Sequence, residues 1–145
     1  MIRDSDKQRP HQRLEVWRDA MALVESIYRV TAHFPPDERL GLTMQLRRAA
    51  VSVPSNIAEG AARRSTPEYL RFLSIARGSL SELDTQLELA ARLGFARSDA
   101  TLTDLLDRTY ARLNALIRSL DSSPRTVRET QAPYESPIPN PESHA

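Results

Sequence analysis

Cysteine is absent from this 145-residue chain. Its absence excludes a disulfide framework, a zinc ribbon and a thiol nucleophile. Glycine is scarce, at Gly41, Gly60, Gly78 and Gly94 only. No phosphate-cradling loop, dinucleotide fingerprint or Gly-x-Ser-x-Gly elbow is present. No apolar run approaches the ~18 residues of a membrane span. The N-terminus, MIRDSDKQRPHQR, lacks the apolar stretch of a signal peptide. These absences predict a cytoplasmic protein with no membrane partner. Lysine is nearly missing too: of 20 basic residues only Lys7 is lysine, and the rest are arginine. Guanidinium groups bind phosphate in a bidentate way, although a bias in codon usage gives the same composition. Net charge is only +1, so composition alone does not announce a nucleic-acid binder.

What is present has the period of a helix. With 40% hydrophobic and 27% charged residues, the chain has an ordinary balance for one domain of this length. Residues 1–12 read as a polar basic arm and residues 13–121 as the folded body. Residues 122–145 hold five of the ten prolines and few hydrophobics, which predicts a disordered tail. In the body, Leu14, Trp17, Met21, Val24, Tyr28 and Thr31 step by three and four. Val16, Ala20, Leu23, Ile27, Val30 and Phe34 run beside them. Together they make an apolar face wider than one surface helix needs. Pro35-Pro36 is expected to end this helix.

A second helix is predicted from Asp37 to about Ala62, with an apolar stripe through Leu42, Leu46, Ala49, Val53 and Ile57 and with Pro54 inside it. A third opens at Ser65-Thr66-Pro67-Glu68, where a capping hydroxyl, a first-turn proline and an acid coincide. It ends at Gly94, a left-handed cap. Gly78 lies inside it at a cost of ~1 kcal/mol against Ala, which a close helix crossing would explain. A fourth follows Ser98-Asp99 and stops at Asp121. No segment alternates as a half-buried strand does. Four long helices with short connections predict an all-α, up-down-up-down antiparallel four-helix bundle.

The bundle offers no evident catalytic or metal chemistry. Di-iron bundles need Glu-x-x-His, and no glutamate here is followed by histidine at that spacing. His11, His33 and His144 are scattered, and Ser52 and Ser55 have no neighbouring base to activate them. The expectation is a protein that is not an enzyme and holds no cofactor or metal.

Charge distribution is more informative. From Arg39 to Arg77 seven arginines face two acids, a net +5, and from Ser79 to Asp107 six acids face two arginines, a net −4. Such runs are commonly solvated helix faces with local pairs such as Glu59 to Arg63. They also suit a surface for phosphate backbone. On that reading Arg47, Arg48, Arg63, Arg64, Arg71 and Arg77 contact nucleic acid, with Arg9 and Arg13 as an arm. Only Tyr69 and Phe72 are aromatic near this region, so binding is expected to be salt-sensitive and weakly sequence-specific. Separately, Ser52, Asn56 and Glu59 share one face of the second helix, and Ser79, Glu82 and Gln86 share a face of the third. These groups are expected to meet as a structural polar network that fixes register, unless both edges face water.

The run QLRRAAVSVPSNIAEG at residues 45–60 resembles the signature of small bacterial four-helix proteins encoded by intervening sequences within 23S rRNA genes. Leu14-Glu15-Val16-Trp17, Phe34-Pro35, Tyr69-Leu70-Arg71-Phe72-Leu73 and residues 78–83 extend the likeness to roughly residues 13–120. The family is related to the accessory variability determinant of diversity-generating retroelements. That resemblance implies a homopentamer with a basic surface, binding to RNA or DNA and to a reverse transcriptase, and no catalysis. The alternative is a protein–protein interaction or scaffold module with no nucleic-acid role.

Overall fold

The computed structural model describes residues 8–97 and 99–121. The predicted tail and the first seven residues of the arm lie outside the described residues. Four α-helices form the body: α1 (Glu15–Thr31), α2 (Leu42–Ala61), α3 (Thr66–Arg92) and α4 (Ala100–Leu120). Short 3-10 turns at Pro10–Arg13 and Pro36–Glu38 precede α1 and α2. Among the described residues there is no strand. Each helix packs on the next, and α4 closes against α1, giving the expected antiparallel bundle.

Of the two apolar stripes on α1, one enters the core. Val16, Ala20, Leu23 and Ile27 are at most 4% exposed, whereas Met21 and Tyr28 on the other stripe are 41% and 43% exposed. From α2 the core takes Leu46, Val53 and Ile57; from α3 it takes Leu73, Leu80 and Leu83; from α4, Leu106 and Leu113. Each such side chain contributes about 1.5–3 kcal/mol by leaving water.

Two helix boundaries differ from the sequence expectation. Helix α1 stops at Thr31, ahead of the prolines, because the His33 and Phe34 amides turn back to the Val30 and Thr31 carbonyls. This tighter turn buries Phe34, whose ring sits 6.0 Å from that of Phe95 just past the end of α3. Helix α2 starts at Leu42 and not at Asp37. Pro36–Glu38 is a separate 3-10 turn, and the Glu38 carboxylate accepts the Leu42 amide at 3.0 Å. That acceptor satisfies one of the orphan donors of a new helix end. The third and fourth helices are capped largely as their sequences suggest. Ser65 Oγ accepts from the Glu68 amide, Asp99 Oδ1 accepts from the Leu102 amide, and Gly94 takes φ +79°.

Helices α2 and α3 pack along their length, and they approach most tightly where Gly60 leaves no room for a side chain. An added Cβ there would lie 3.0 Å from Phe72 Cβ and 3.2 Å from the Tyr69 carbonyl oxygen. Gly78, by contrast, does not mark a crossing. It is exposed, and an added Cβ would meet nothing within 4 Å. The helix crosses its partner one turn-face away, through Ala76, Ser79 and Leu80, which are buried.

Candidate nucleic-acid interface

The arginines singled out by sequence fall into three places. Arg47 and Arg48, with Arg39, line a groove of about 560 Å³ between α1 and α2, together with Tyr28, Met44 and Val51. Arg63, Arg64 and Arg71 cluster at the α2–α3 connection, roughly 20 Å further along α2 at 1.5 Å per residue. Arg77 lies on the α3–α4 side, its Nη1 donating to Asn114 Oδ1 at 3.3 Å. In the arm, the Arg9 amide donates to Gln12 Oε1 at 2.9 Å, and the turn that includes Arg13 packs on α1 and α2. The arm thus lies beside the basic helix.

Several of these side chains are already engaged. The Arg47 guanidinium carbon lies 4.5 Å from the centroid of the Tyr28 ring, and its Nε donates to Thr31 Oγ1 at 2.9 Å. Arg63 and Arg71 both sit over the Phe72 ring, at 4.7 and 5.3 Å. Arg63 also pairs with Glu59 at 2.7 Å, and Arg71 approaches Glu68 at 3.8 Å. Each cation–π contact of an exposed arginine is worth ~0.5–1 kcal/mol, so these contacts hold the groups without consuming their remaining N–H donors. Arg39, Arg48 and Arg64 are exposed and form no ion pair among the described residues.

Of the polar groups on α2 and α3, three meet. Ser52 Oγ and Ser79 Oγ are 2.7 Å apart, and Asn56 Nδ2 donates to the Ser52 carbonyl at 2.8 Å and to Ser52 Oγ at 3.0 Å. The Ser52 hydroxyl thus accepts from Asn56 and shares a hydrogen bond with the Ser79 hydroxyl, a chain that ties α2 to α3. Glu59 turns to Arg63 instead, Glu82 is exposed, and Gln86 Oε1 is buried with no hydrogen-bond partner among the described residues. The two serine hydroxyls bond across the α2–α3 contact, an arrangement that holds the helices together.

A family model described as 23S rRNA-intervening sequence protein matches residues 12–119, most of the chain and all four helices. The chain belongs to this family. The chain also resembles, in fold, the crystal structure of a protein of unknown function from the S23 ribosomal protein family of Bacteroides thetaiotaomicron. The TM-score is 0.59 at 18% identity, over 74% of this chain and 99% of that one. No curated protein matches the sequence.

Two features of the chain are not evident from its sequence. The first is a buried carboxylate: Asp19, 7% exposed, receives Arg112 at 2.6 Å and Arg108 at 3.3 Å, with Glu15 3.4 Å from Arg112. The hydrogen bond to Asp19 pushes the Arg112 pKa up, against partial desolvation. The available signal was a carboxylate set between Val16 and Leu23 on the core stripe, with two arginines one turn apart on α4. The second is Tyr28, which reads as a core position by its period. It becomes part of the groove because the parallel stripe of α1 takes the core. Among the described residues no helix is long and apolar enough to cross a membrane.

Proposed function

We propose that this chain is a non-enzymatic, homo-oligomeric nucleic-acid-binding protein of the cytoplasm, meeting RNA or DNA through guanidinium groups on α2, in the turns at its two ends and at the start of α3. One observation carries the reading: Arg39, Arg48 and Arg64 are exposed and without ion-pair partners among the described residues, on a stretch of net charge +5. An unpaired exposed arginine gains from phosphate by bidentate hydrogen bonding and by counterion release. The two acids of that stretch, Glu59 and Glu68, pair with Arg63 and Arg71, and the run of net charge −4 follows on the later part of α3 and the start of α4, which leaves Arg39, Arg48 and Arg64 on a positive stretch. A pentameric assembly and service to a partner reverse transcriptase are the finer form of this reading and come from the family resemblance. Assembly is supported by Met21 on α1, by Ile75 and Leu89 on α3 and by Leu93 just past its end, apolar side chains left 41% to 60% exposed. The α3 stripe also favours the second reading, an interaction or scaffold module with no nucleic-acid role.

A salt titration separates the two. Binding to a structured RNA is expected at low salt, with log affinity falling linearly in log salt by about 0.9 per phosphate neutralised. No binding at low salt would sink the first reading and leave the second. Light scattering tests assembly, and a monomer at micromolar concentration refutes it.

A further inference from the structure

We propose that the groove between α1 and α2 seats one unpaired base of a single-stranded nucleic acid, with arginines holding the phosphates on either side. The proposal rests on the nucleic-acid reading above and adds the form of nucleic acid and the residue that selects it.

The groove asks for a ligand that is both flat and anionic. Its wall combines Tyr28 and Val51, 43% and 41% exposed, with half-buried Met44, and its charged members are Arg39, Arg47 and Arg48 with no carboxylate. Phosphate alone has no use for an aromatic wall. A duplex hides the faces of its bases in its own stack, whereas a single strand offers both base face and phosphate. The volume of about 560 Å³ falls within the ~300–1,000 Å³ range of small-ligand sites, which suits a nucleotide and is too small for a double helix.

Arg47 is set in place before any ligand arrives. Its guanidinium lies over Tyr28 and its Nε is held by Thr31 Oγ1. The Thr31 hydroxyl in turn donates to the Ile27 carbonyl at 2.7 Å. Bases stack on guanidinium planes as they do on aromatic rings. Arg47, backed by the Tyr28 ring, thus presents a stacking platform whose ordering entropy is already spent in folding. Arg39 and Arg48, without ion-pair partners among the described residues, stand on the same groove for the flanking phosphates. A carboxylate side chain from a second copy would match the charge and leave the flat surface unused, so the base is the better fit.

The test is fluorescence anisotropy with the full chain and three labelled probes of equal length, roughly 12 nucleotides as in a small single-strand site. They are oligouridylate, the same RNA backbone without bases, and an RNA duplex. Oligouridylate should bind more tightly than the abasic strand. Tyr28→Leu should weaken oligouridylate about 5- to 150-fold, the loss of stacking on one base, leave the abasic strand and the duplex unchanged, and keep the helical circular dichroism. Tyr28→Phe should retain the wild-type preference. Equal binding of oligouridylate and abasic strand, unaffected by Tyr28→Leu, would overturn the proposal. If that binding is steeply salt-dependent, the basic surface stands without the groove; if no probe binds at low salt, both readings fall. Should Tyr28→Leu disperse an assembly in light scattering and leave every probe affinity unchanged, the groove is a contact between copies and the proposal is likewise overturned.

Discussion

The same substitution, glycine to alanine, should have opposite signs at two positions on facing helices. At Gly78 an added methyl meets nothing within 4 Å, and the position is well inside α3. Ala there recovers the helix-propensity difference of about 1 kcal/mol. At Gly60 the methyl would lie 3.0 Å from Phe72 Cβ, 3.1 Å from Tyr69 Cδ1 and 3.2 Å from the Tyr69 carbonyl oxygen. Carbon pairs prefer about 3.5–4.0 Å, and a backbone carbonyl cannot swing aside as a side-chain tip does. The start of α3 must therefore move by a few tenths of an ångström, an overpacking cost of about 1–3 kcal/mol. The propensity gain offsets only part of this, since Gly60 lies in the last turn of α2. The net expectation is destabilisation by about 1–2 kcal/mol. For a domain of this size, roughly 3–5 °C per kcal/mol puts the melting temperatures of the two variants on opposite sides of wild type. Thermal unfolding followed by circular dichroism reads both at once. Equal shifts in the same direction would refute the reasoning, because propensity alone would then govern both sites.

Ser52→Ala leaves the Ser79 hydroxyl buried without its 2.7 Å partner, and urea denaturation should show a loss of about 1–3 kcal/mol. Asp19→Ala should lower the melting temperature more than Glu15→Ala, since the two carboxylates are 9% and 70% exposed; equal effects would refute the central place of Asp19. Gln86→Leu removes a buried oxygen without a partner among the described residues and should be neutral or stabilising by up to about 1 kcal/mol in the same urea assay. Burial raises the Tyr69 pKa above its ordinary 10.0. The folded state therefore holds this phenol neutral where the unfolded chain ionises it. The resulting stability is complete below about pH 10 and is lost as pH rises through the higher folded value. Tyr69→Phe should flatten the fall of melting temperature above that pH.

The helices were legible because core burial repeats every three or four residues, and Leu23, Ile27, Leu46, Val53 and Ile57 sit where their stripes place them. Boundaries were less legible. Pro35-Pro36 permits a stop but does not require the helix to run up to it, and the Glu38 cap that starts α2 at Leu42 depends on a tertiary turn. On α1 the two stripes are equivalent in sequence, so nothing local says that Ile27 enters the core and Tyr28 faces the groove. That choice is made by where α2 and α4 pack. Gly60 and Gly78 pose the same difficulty: two glycines in helices look alike until the neighbouring helix is in place. The pairing of Ser52 with Ser79 was accessible because both are hydroxyls on faces that antiparallel packing brings together. The Asp19 cluster joins residues 93 apart in sequence, and only the closure of α4 on α1 makes it.

The arginine-rich composition acquires a physical sense from these contacts. Arg47 donates from Nε to Thr31 while its plane lies over Tyr28, and Arg63 bonds Glu59 while lying over Phe72. A lysine ammonium, a single point of charge, cannot bond through one nitrogen, stack through a plane and still present further donors in a fixed direction. Guanidinium groups can therefore be fastened to the bundle and remain usable at its surface. Fastening also reduces the side-chain entropy lost when an anion is bound. Near-neutral total charge is compatible with such a surface, because attraction for phosphate is set by the charges within about a Debye length, ~8–10 Å at physiological salt. The groove shows this locally: its charged lining is three arginines, while the −4 stretch that balances the sequence belongs to the end of α3 and the start of α4. The net charge of the chain therefore says little about what the α1–α2 face attracts, and the placement of unpaired guanidinium groups on and beside α2 says more.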